Sequence, residues 1–135
     1  MTTAAPLFVV DDDPTGAQGQ ADVPLLLSWR DGLVEAALDD EPAAVHLLTN
    51  SRALDESAAY ALVREASEAA DAAAPEPRLV LRGDSTLRAH LLPEYAGVRD
   101  ALYPGTAPPL LLVPALPAAG RVTRDGRHWL VRGGP

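Results

Sequence analysis

Arg78-Leu79-Val80-Leu81-Arg82-Gly83-Asp84-Ser85-Thr86-Leu87-Arg88 is the stretch from which the fold is read. Three consecutive apolar residues between two arginines have the length of a strand, and an unbroken apolar run suits a strand buried on both faces of a parallel sheet. A carboxylate, two hydroxyls and a further arginine follow directly. An open α/β sheet gathers such groups in the crevice outside the carboxyl ends of its strands. The stretch therefore predicts a central buried strand that delivers Arg82, Asp84, Ser85, Thr86 and Arg88 to one place. The plainer alternative is that Asp84 or Ser85 caps the next helix and that the arginines are solvated or pair with acids.

Upstream, residues 55–73 carry Ala58, Leu62, Ala66, Ala69 and Ala73 at helical spacing, with Asp55 and Glu56 where the helix dipole favours acids. Pro75 and Pro77 end that helix. Before it, Val45, His46, Leu47 and Leu48 predict a strand that hands over to Thr49, Asn50, Ser51 and Arg52; His46 inside the strand reads as a core or edge residue rather than a ligand. Residues 23–27 predict another strand, and Ser28 an N-cap for a short helix over 28–38 that Gly32 weakens, with Trp29 packing. At the start, Leu7, Phe8, Val9 and Val10 end abruptly in Asp11, Asp12, Asp13, Pro14, Thr15 and Gly16. Adjacent carboxylates repel, so this turn either solvates all three or uses them. A bland reading has Asp13 or Thr15 capping the next segment.

Downstream, Pro93 beside Glu94 marks a helix start, with the helix ending near Leu102. Leu110, Leu111, Leu112 and Val113 predict a further buried strand, and the loop 114–121 then presents Arg121. Residues 128–131 read as one arm of a hairpin turned at Asp125 and Gly126. Strands alternating with helices give an open, mostly parallel, doubly wound Rossmann-like sheet with helices on both faces, incomplete at the C-terminus. Polar clusters at four strand ends then converge on one edge.

Composition bounds what such an edge can do. The chain has 135 residues, enough for one core and so for one domain or part of one. A net charge of −8 with no lysine offers no basic face for nucleic acid and no lysine for a phosphate loop or Schiff base. Cysteine is absent, which removes disulfides and thiolate metal sites. Residues 1–6 lack the basic and apolar regions of a leader, and no apolar run reaches the length of a membrane span, so a cytoplasmic location is expected, with neither nucleic acid nor membrane as partner. The arginines are planar forks for a carboxylate or phosphate, and Asp12, Asp13 and Asp84 can accept from sugar hydroxyls. Together they describe a site for a small polyhydroxylated acid.

At this point the motifs match a known family. DDDPTG (11–16), TNSR (49–52), RGDSTLR (82–88) and PALPAAGR (114–121), in this order and spacing, resemble the N-terminal, sugar-binding domain of the four-carbon acid sugar kinases. The resemblance runs from Phe8 to about Leu130. It implies an α/β domain that holds threonate, erythronate or a 3-oxo-tetronate, with ATP and Mg2+ bound by a separate C-terminal domain. Matched residue by residue, it implies substrate binding by Asp12, Asp13 and Thr15, by Asn50, Ser51 and Arg52, by Arg82, Asp84, Ser85, Thr86 and Arg88, and by Gly120 and Arg121. It assigns no catalytic base and no metal ligand here. The chain departs from the family at Ala89, where glycine is usual, and at Leu116 and Ala118, where Phe and Glu are usual. A glycine replaced by alanine matters if the backbone needs positive φ or close approach to ligand.

Residues 1–135 are accordingly expected to be a single partial domain without cofactor of its own and without an ATP-binding domain. A gene fragment, a split enzyme completed by a chain carrying that domain, and a retained non-catalytic acid-binding or interaction module all stay open. A rival of another class reads Phe8 to Thr15 as the first motif of a haloacid-dehalogenase phosphatase, with Asp11 as nucleophile and Asp13 as acid, and Leu47 to Asn50 as its second. That chemistry needs a cation on the phosphoryl group, usually lysine, which is absent so that an arginine would have to substitute, and a later acidic pair; no such pair follows a later strand.

Overall fold

Leu7–Asp11 (β1) lies inside a parallel sheet, paired on one side with Val45–Leu48 (β3) and on the other with Arg78–Arg82 (β4), while the two-residue strand Leu25–Leu26 (β2) flanks β3. This is a computed structural model that describes residues 5–131; the first four residues of the stretch read as lacking a leader, and residues 132–135, lie outside the described residues. The strand order is β2-β3-β1-β4, and every pairing is parallel. Asp11 stands in register with Leu48 on β3 and Arg82 on β4, so three strands end level and release their polar residues at one edge.

Alternation along the strands builds the core. Phe8, Val10, Val45 and Leu47 point to one face and are 2% exposed or less. Val34 of the helix Leu33–Leu38 (α1) and Val63, Ala66 and Ala70 of Glu56–Ala73 (α2) close over them. The buried stripe of α2 runs through Ala59, Val63, Ala66, Ser67 and Ala70, displaced from the expected one, of which only Ala66 is fully buried while Ala58, Leu62, Ala69 and Ala73 are half-buried; the helix also packs along Leu91–Leu102 (α3). Asp55 is the N-cap of α2, its carboxylate accepting from the Ala58 amide at 2.9 Å.

The open parallel α/β sheet is as expected, but in one respect the winding differs. The helices that contact the core lie on a single face, not on both. The steps β2 to β3 and β3 to β4 run in the same direction across the sheet, and right-handed crossovers in one direction place their helices on one side. The opposite step, β1 to β2, contains only the short 3-10 turn Pro14–Gly16. The other face carries Val9, His46 and Val80, and Val80 is 47% exposed.

Four local expectations are corrected. β4, read as a central buried strand, is the edge strand and alternates exposed and half-buried residues. Residues 110–113 form no strand: Leu111 is 88% and Val113 69% exposed. An apolar run alone does not make a strand without a partner ladder. The helix expected over 28–38 starts only at Leu33, since Asp31 and Gly32 both take positive φ and turn the chain there. α3 begins two residues before Pro93, which a first helical turn tolerates because its amides have no intrahelical partner. The hairpin is as read: Arg121–Arg124 (β5) pairs antiparallel with Arg127–Leu130 (β6), and positive φ at Asp125 and Gly126 gives the two-residue turn that hairpins favour. No helix among the described residues is long and apolar enough to cross a membrane.

Candidate functional site

At the end of β1 the three aspartates separate into three environments. Asp11 is fully buried, with Oδ2 2.6 Å from Nδ1 of His46. Its Oδ1 is buried, has no hydrogen-bond partner among the described residues, and lies 3.8 Å from Nη1 of Arg82. Gly16 packs into this corner. A Cβ there would collide with Asp11 Oδ1 and sit 2.5 Å from Arg82 Nη1, so glycine is required by close approach. Asp12, 2% exposed, accepts both prongs of Arg52, Nε at 2.9 Å and Nη2 at 2.8 Å. Asp13 accepts from the Thr15 amide at 2.8 Å and from the Thr15 hydroxyl, and its Oδ2 lies 3.0 Å from Nη1 of Arg52. Asp13 thus caps the short turn, as the bland reading has it, and also joins the charged cluster.

The Thr15 hydroxyl, with smaller contributions from the Thr15 amide, Arg52 and Arg82, holds the Asp13 carboxyl below the usual range. The hydrogen bond to Asp12 pushes the Arg52 guanidinium up. Both effects favour the charged forms.

β3 delivers a second array. The Thr49 amide and hydroxyl both reach the Asp11 carbonyl, at 3.0 and 2.9 Å. Asn50 adopts a left-handed backbone, which asparagine tolerates better than most residues, and it is exposed. Ser51 is buried, with its Oγ 3.1 Å from Thr49 Oγ1 and 2.7 Å from Oε1 of Glu94 on α3. The Arg52 amide donates to the Asp12 carbonyl at 3.1 Å, which fixes this turn against the end of β1.

Beyond β4, Asp84 accepts from the Thr86 hydroxyl and from Nε of Arg88 at 2.6 Å. The Arg88 guanidinium holds the Asp84 carboxyl well below the usual carboxylate range. No helix starts here, since α3 begins at Leu91, so Asp84 is not a helix cap. The Arg82 and Arg88 side chains keep 42% and 69% of their surface exposed. From the hairpin, Nη1 of Arg121 donates to Ser85 Oγ at 3.2 Å, and Nε2 of His128 lies 2.6 Å from the Ser85 carbonyl. That carbonyl can only accept, so His128 donates from Nε2, leaving Nδ1 to accept from the Thr123 hydroxyl at 3.0 Å.

The fold thus links Asp12, Asp13, Thr15, Ser51 and Arg52 in one cluster and Asp84, Ser85, Thr86, Arg88 and Arg121 in a second, with Arg82 beside Asp11; Asn50 is exposed and has no side-chain partner among the described residues, and Gly120 lies apart. The Asp84 charge acts on Arg52, and the Asp13 charge on Arg88, which joins the two clusters into one field. Gly120 lies just before the hairpin: its φ is 71° and a Cβ would run into the Val131 carbonyl. Ala89 is not among the residues at positive φ, so that departure from the expected glycine strains nothing. Leu116 pairs with Arg121 through backbone hydrogen bonds of 2.8 and 3.1 Å, so its side chain is not what holds the loop. As an aspartyl nucleophile, Asp11 would need an open line to phosphorus. It is fully buried, with one oxygen on His46.

His46, Glu94 and His128 are parts of this edge that spacing did not indicate. Glu94 reads locally as a helix-start acid, and only the packing of α3 beside the end of β3 turns it inward. A family model described as the sugar-binding N-terminal domain matches residues 7–135. No curated protein and no solved structure matches the chain.

Proposed function

Because this chain belongs to the family of the sugar-binding N-terminal domain, we propose that its sheet edge holds a four-carbon sugar acid of the threonate, erythronate or 3-oxo-tetronate type, as the substrate domain of an ATP-dependent sugar-acid kinase. The observation that carries this is Arg82, exposed at the end of the edge strand with its guanidinium 3.8 Å from the buried Oδ1 of Asp11, unpartnered among the described residues, and followed in the chain by the ion-paired Asp84 and Arg88. A planar guanidinium suits the acid's carboxylate, and ionised aspartates suit its hydroxyls. Arg88 and Arg121 extend the cationic rim. Arg52 supports the reading differently, by holding Asp12 and Asp13 in place.

Phosphoryl transfer is mostly positioning and electrostatic stabilisation around the metal-bound phosphates. In this reading residues 1–135 position the acceptor sugar and a C-terminal ATP-binding domain, on this or another chain, brings ATP and Mg2+. Titration calorimetry of the 135-residue chain with threonate and erythronate, against succinate as an unhydroxylated acid, tests the reading, with an ADP-release assay alongside. Weak binding of the hydroxylated acids without ADP release is expected. Equal binding of succinate, or none of the three, overturns the sugar-acid assignment; ADP release by the pure chain overturns the division of labour.

A further inference from the structure

Glu94 is 4% exposed in the first turn of α3, a position where an acid usually meets water and the helix dipole. Its Oε1 instead ends a chain of three contacts: 2.7 Å to Ser51 Oγ, 3.1 Å from there to Thr49 Oγ1, and 2.9 Å from there to the Asp11 carbonyl. Counting protons along this chain decides the state of its end. A serine or threonine hydroxyl has one proton to donate. If Glu94 is ionised, Ser51 must donate to it, and the single Thr49 proton serves either Ser51 or the Asp11 carbonyl, which also accepts from the Thr49 amide, so one of the three contacts is left without a proton. If Glu94 is protonated, every contact has one donor: Glu94 to Ser51, Ser51 to Thr49, Thr49 to the Asp11 carbonyl.

We propose that Glu94 is a neutral carboxylic acid donating to Ser51, and that through this relay it is the positioning residue for the turn carrying Asn50, Ser51 and Arg52. The relay is tied to the site at both ends. Thr49 closes on the residue before Asp12, and Arg52, next to Ser51, grips Asp12. Burial drives the Glu94 carboxyl upward from its ordinary value, and of the charges that face it Asp12 acts in the same sense while His90 and Arg52 oppose it, as does a hydrogen bond donated by Ser51 to the ionised carboxylate. The protonated form therefore contributes stability that is complete below the ordinary glutamate value and is lost as pH rises through the raised one. On ionisation Ser51 must turn its proton to Glu94, and its donation to Thr49 is lost.

The assignment of Glu94 stands on the relay alone; its effect on ligand rests on the sugar-acid reading above. Carbon-13 spectra of the glutamate carboxyls in the 135-residue chain, with the Glu94 signal identified by its loss in Glu94→Gln, read the protonation directly. The expected result is a Glu94 carboxyl that titrates at higher pH than the other glutamates. Glu94→Gln keeps a donor for Ser51 and should retain melting temperature, and threonate affinity within about threefold, while flattening their decline toward alkaline pH. Glu94→Ala should lower both, affinity by roughly tenfold. A Glu94 signal that titrates with the rest, or a Glu94→Gln chain as damaged as Glu94→Ala, overturns the proposal. If unmodified chain fails to bind threonate, the sugar-acid reading falls, and the spectra and melting curves still decide Glu94.

Discussion

The two halves of the candidate site are built on opposite principles. Where β1 and β3 end, Asp11, Asp12, Ser51 and Glu94 are all buried to 4% exposure or less, and their partners come from 35 to 43 residues away. Where β4 ends, Asp84, Thr86 and Arg88 bond to one another within five residues, and Arg82 and Arg88 stand in water. The first half is a long-range lock that the whole fold must assemble; the second is a local knot on an edge strand. A buried, hydrogen-bonded ion pair is costly to disturb, whereas an exposed one contributes little to stability. The lock should therefore govern folding and the edge should govern binding.

The largest effect should follow from opening the lock. Arg52→Ala leaves the Asp12 carboxylate buried without its guanidinium, a loss of about 3 kcal/mol or more that should lower the melting temperature by roughly 10 °C. Removing Asp12 as well takes away the stranded charge, so the double variant should recover part of the loss. The two substitutions measured singly and together give the coupling. Additive losses would show that the two residues are not a lock.

A smaller effect on stability and a larger one on ligand are expected at the edge. Arg82→Lys, Arg88→Lys and Asp84→Asn should each weaken threonate binding by about tenfold, since a charge-assisted hydrogen bond contributes about 1.5 to 3 kcal/mol and lysine cannot reproduce the fork. Melting temperature should move little in all three. Asp84 adds a pH test. Its carboxyl is held low by Arg88, so its contribution is present above the ordinary carboxylate value and is lost only as pH falls through the depressed one. The small stability difference between unmodified chain and Asp84→Asn should thus stay constant from neutral pH to about pH 5. A large drop in melting temperature with unchanged affinity would reverse the roles of the two halves.

The same contrast explains what could be read from the sequence. Strands β1, β3 and β4 announce themselves as apolar runs ending in polar residues, and their level ends follow from parallel pairing, so the residues at the edge were legible. Residues 110–113 carry the same signature but form no strand, because a strand also needs a neighbour and periodicity does not report one. The local knot was legible in the adjacency of Asp84, Thr86 and Arg88. The lock was legible only in its residue types: that Arg52 serves Asp12 and Asp13, that His46 serves Asp11 and that Glu94 serves Ser51 depends on contacts between elements far apart in sequence. The face chosen by the helices depends likewise on strand order, which no local pattern contains.

The smallest expected effect provides the control that makes the edge result interpretable. Arg99, in the last turn of α3, pairs with its neighbour Asp100 through Nε at 2.8 Å and Nη2 at 2.7 Å, both side chains being about a third exposed. Arg99→Lys makes the same chemical change as Arg82→Lys and Arg88→Lys and leaves the net charge of −8 unaltered. It loses a fork on a surface carboxylate, an interaction that contributes about 0 to 1 kcal/mol and that Asp100 shares with the Tyr60 hydroxyl at 3.0 Å. Melting temperature should shift by no more than about 2 °C, and threonate affinity should stay within error of the unmodified chain. If instead Arg99→Lys weakens binding as much as Arg82→Lys does, the ligand is reading the overall field of the chain rather than a guanidinium at the end of β4, and the division between a folding half and a binding half fails at its binding end.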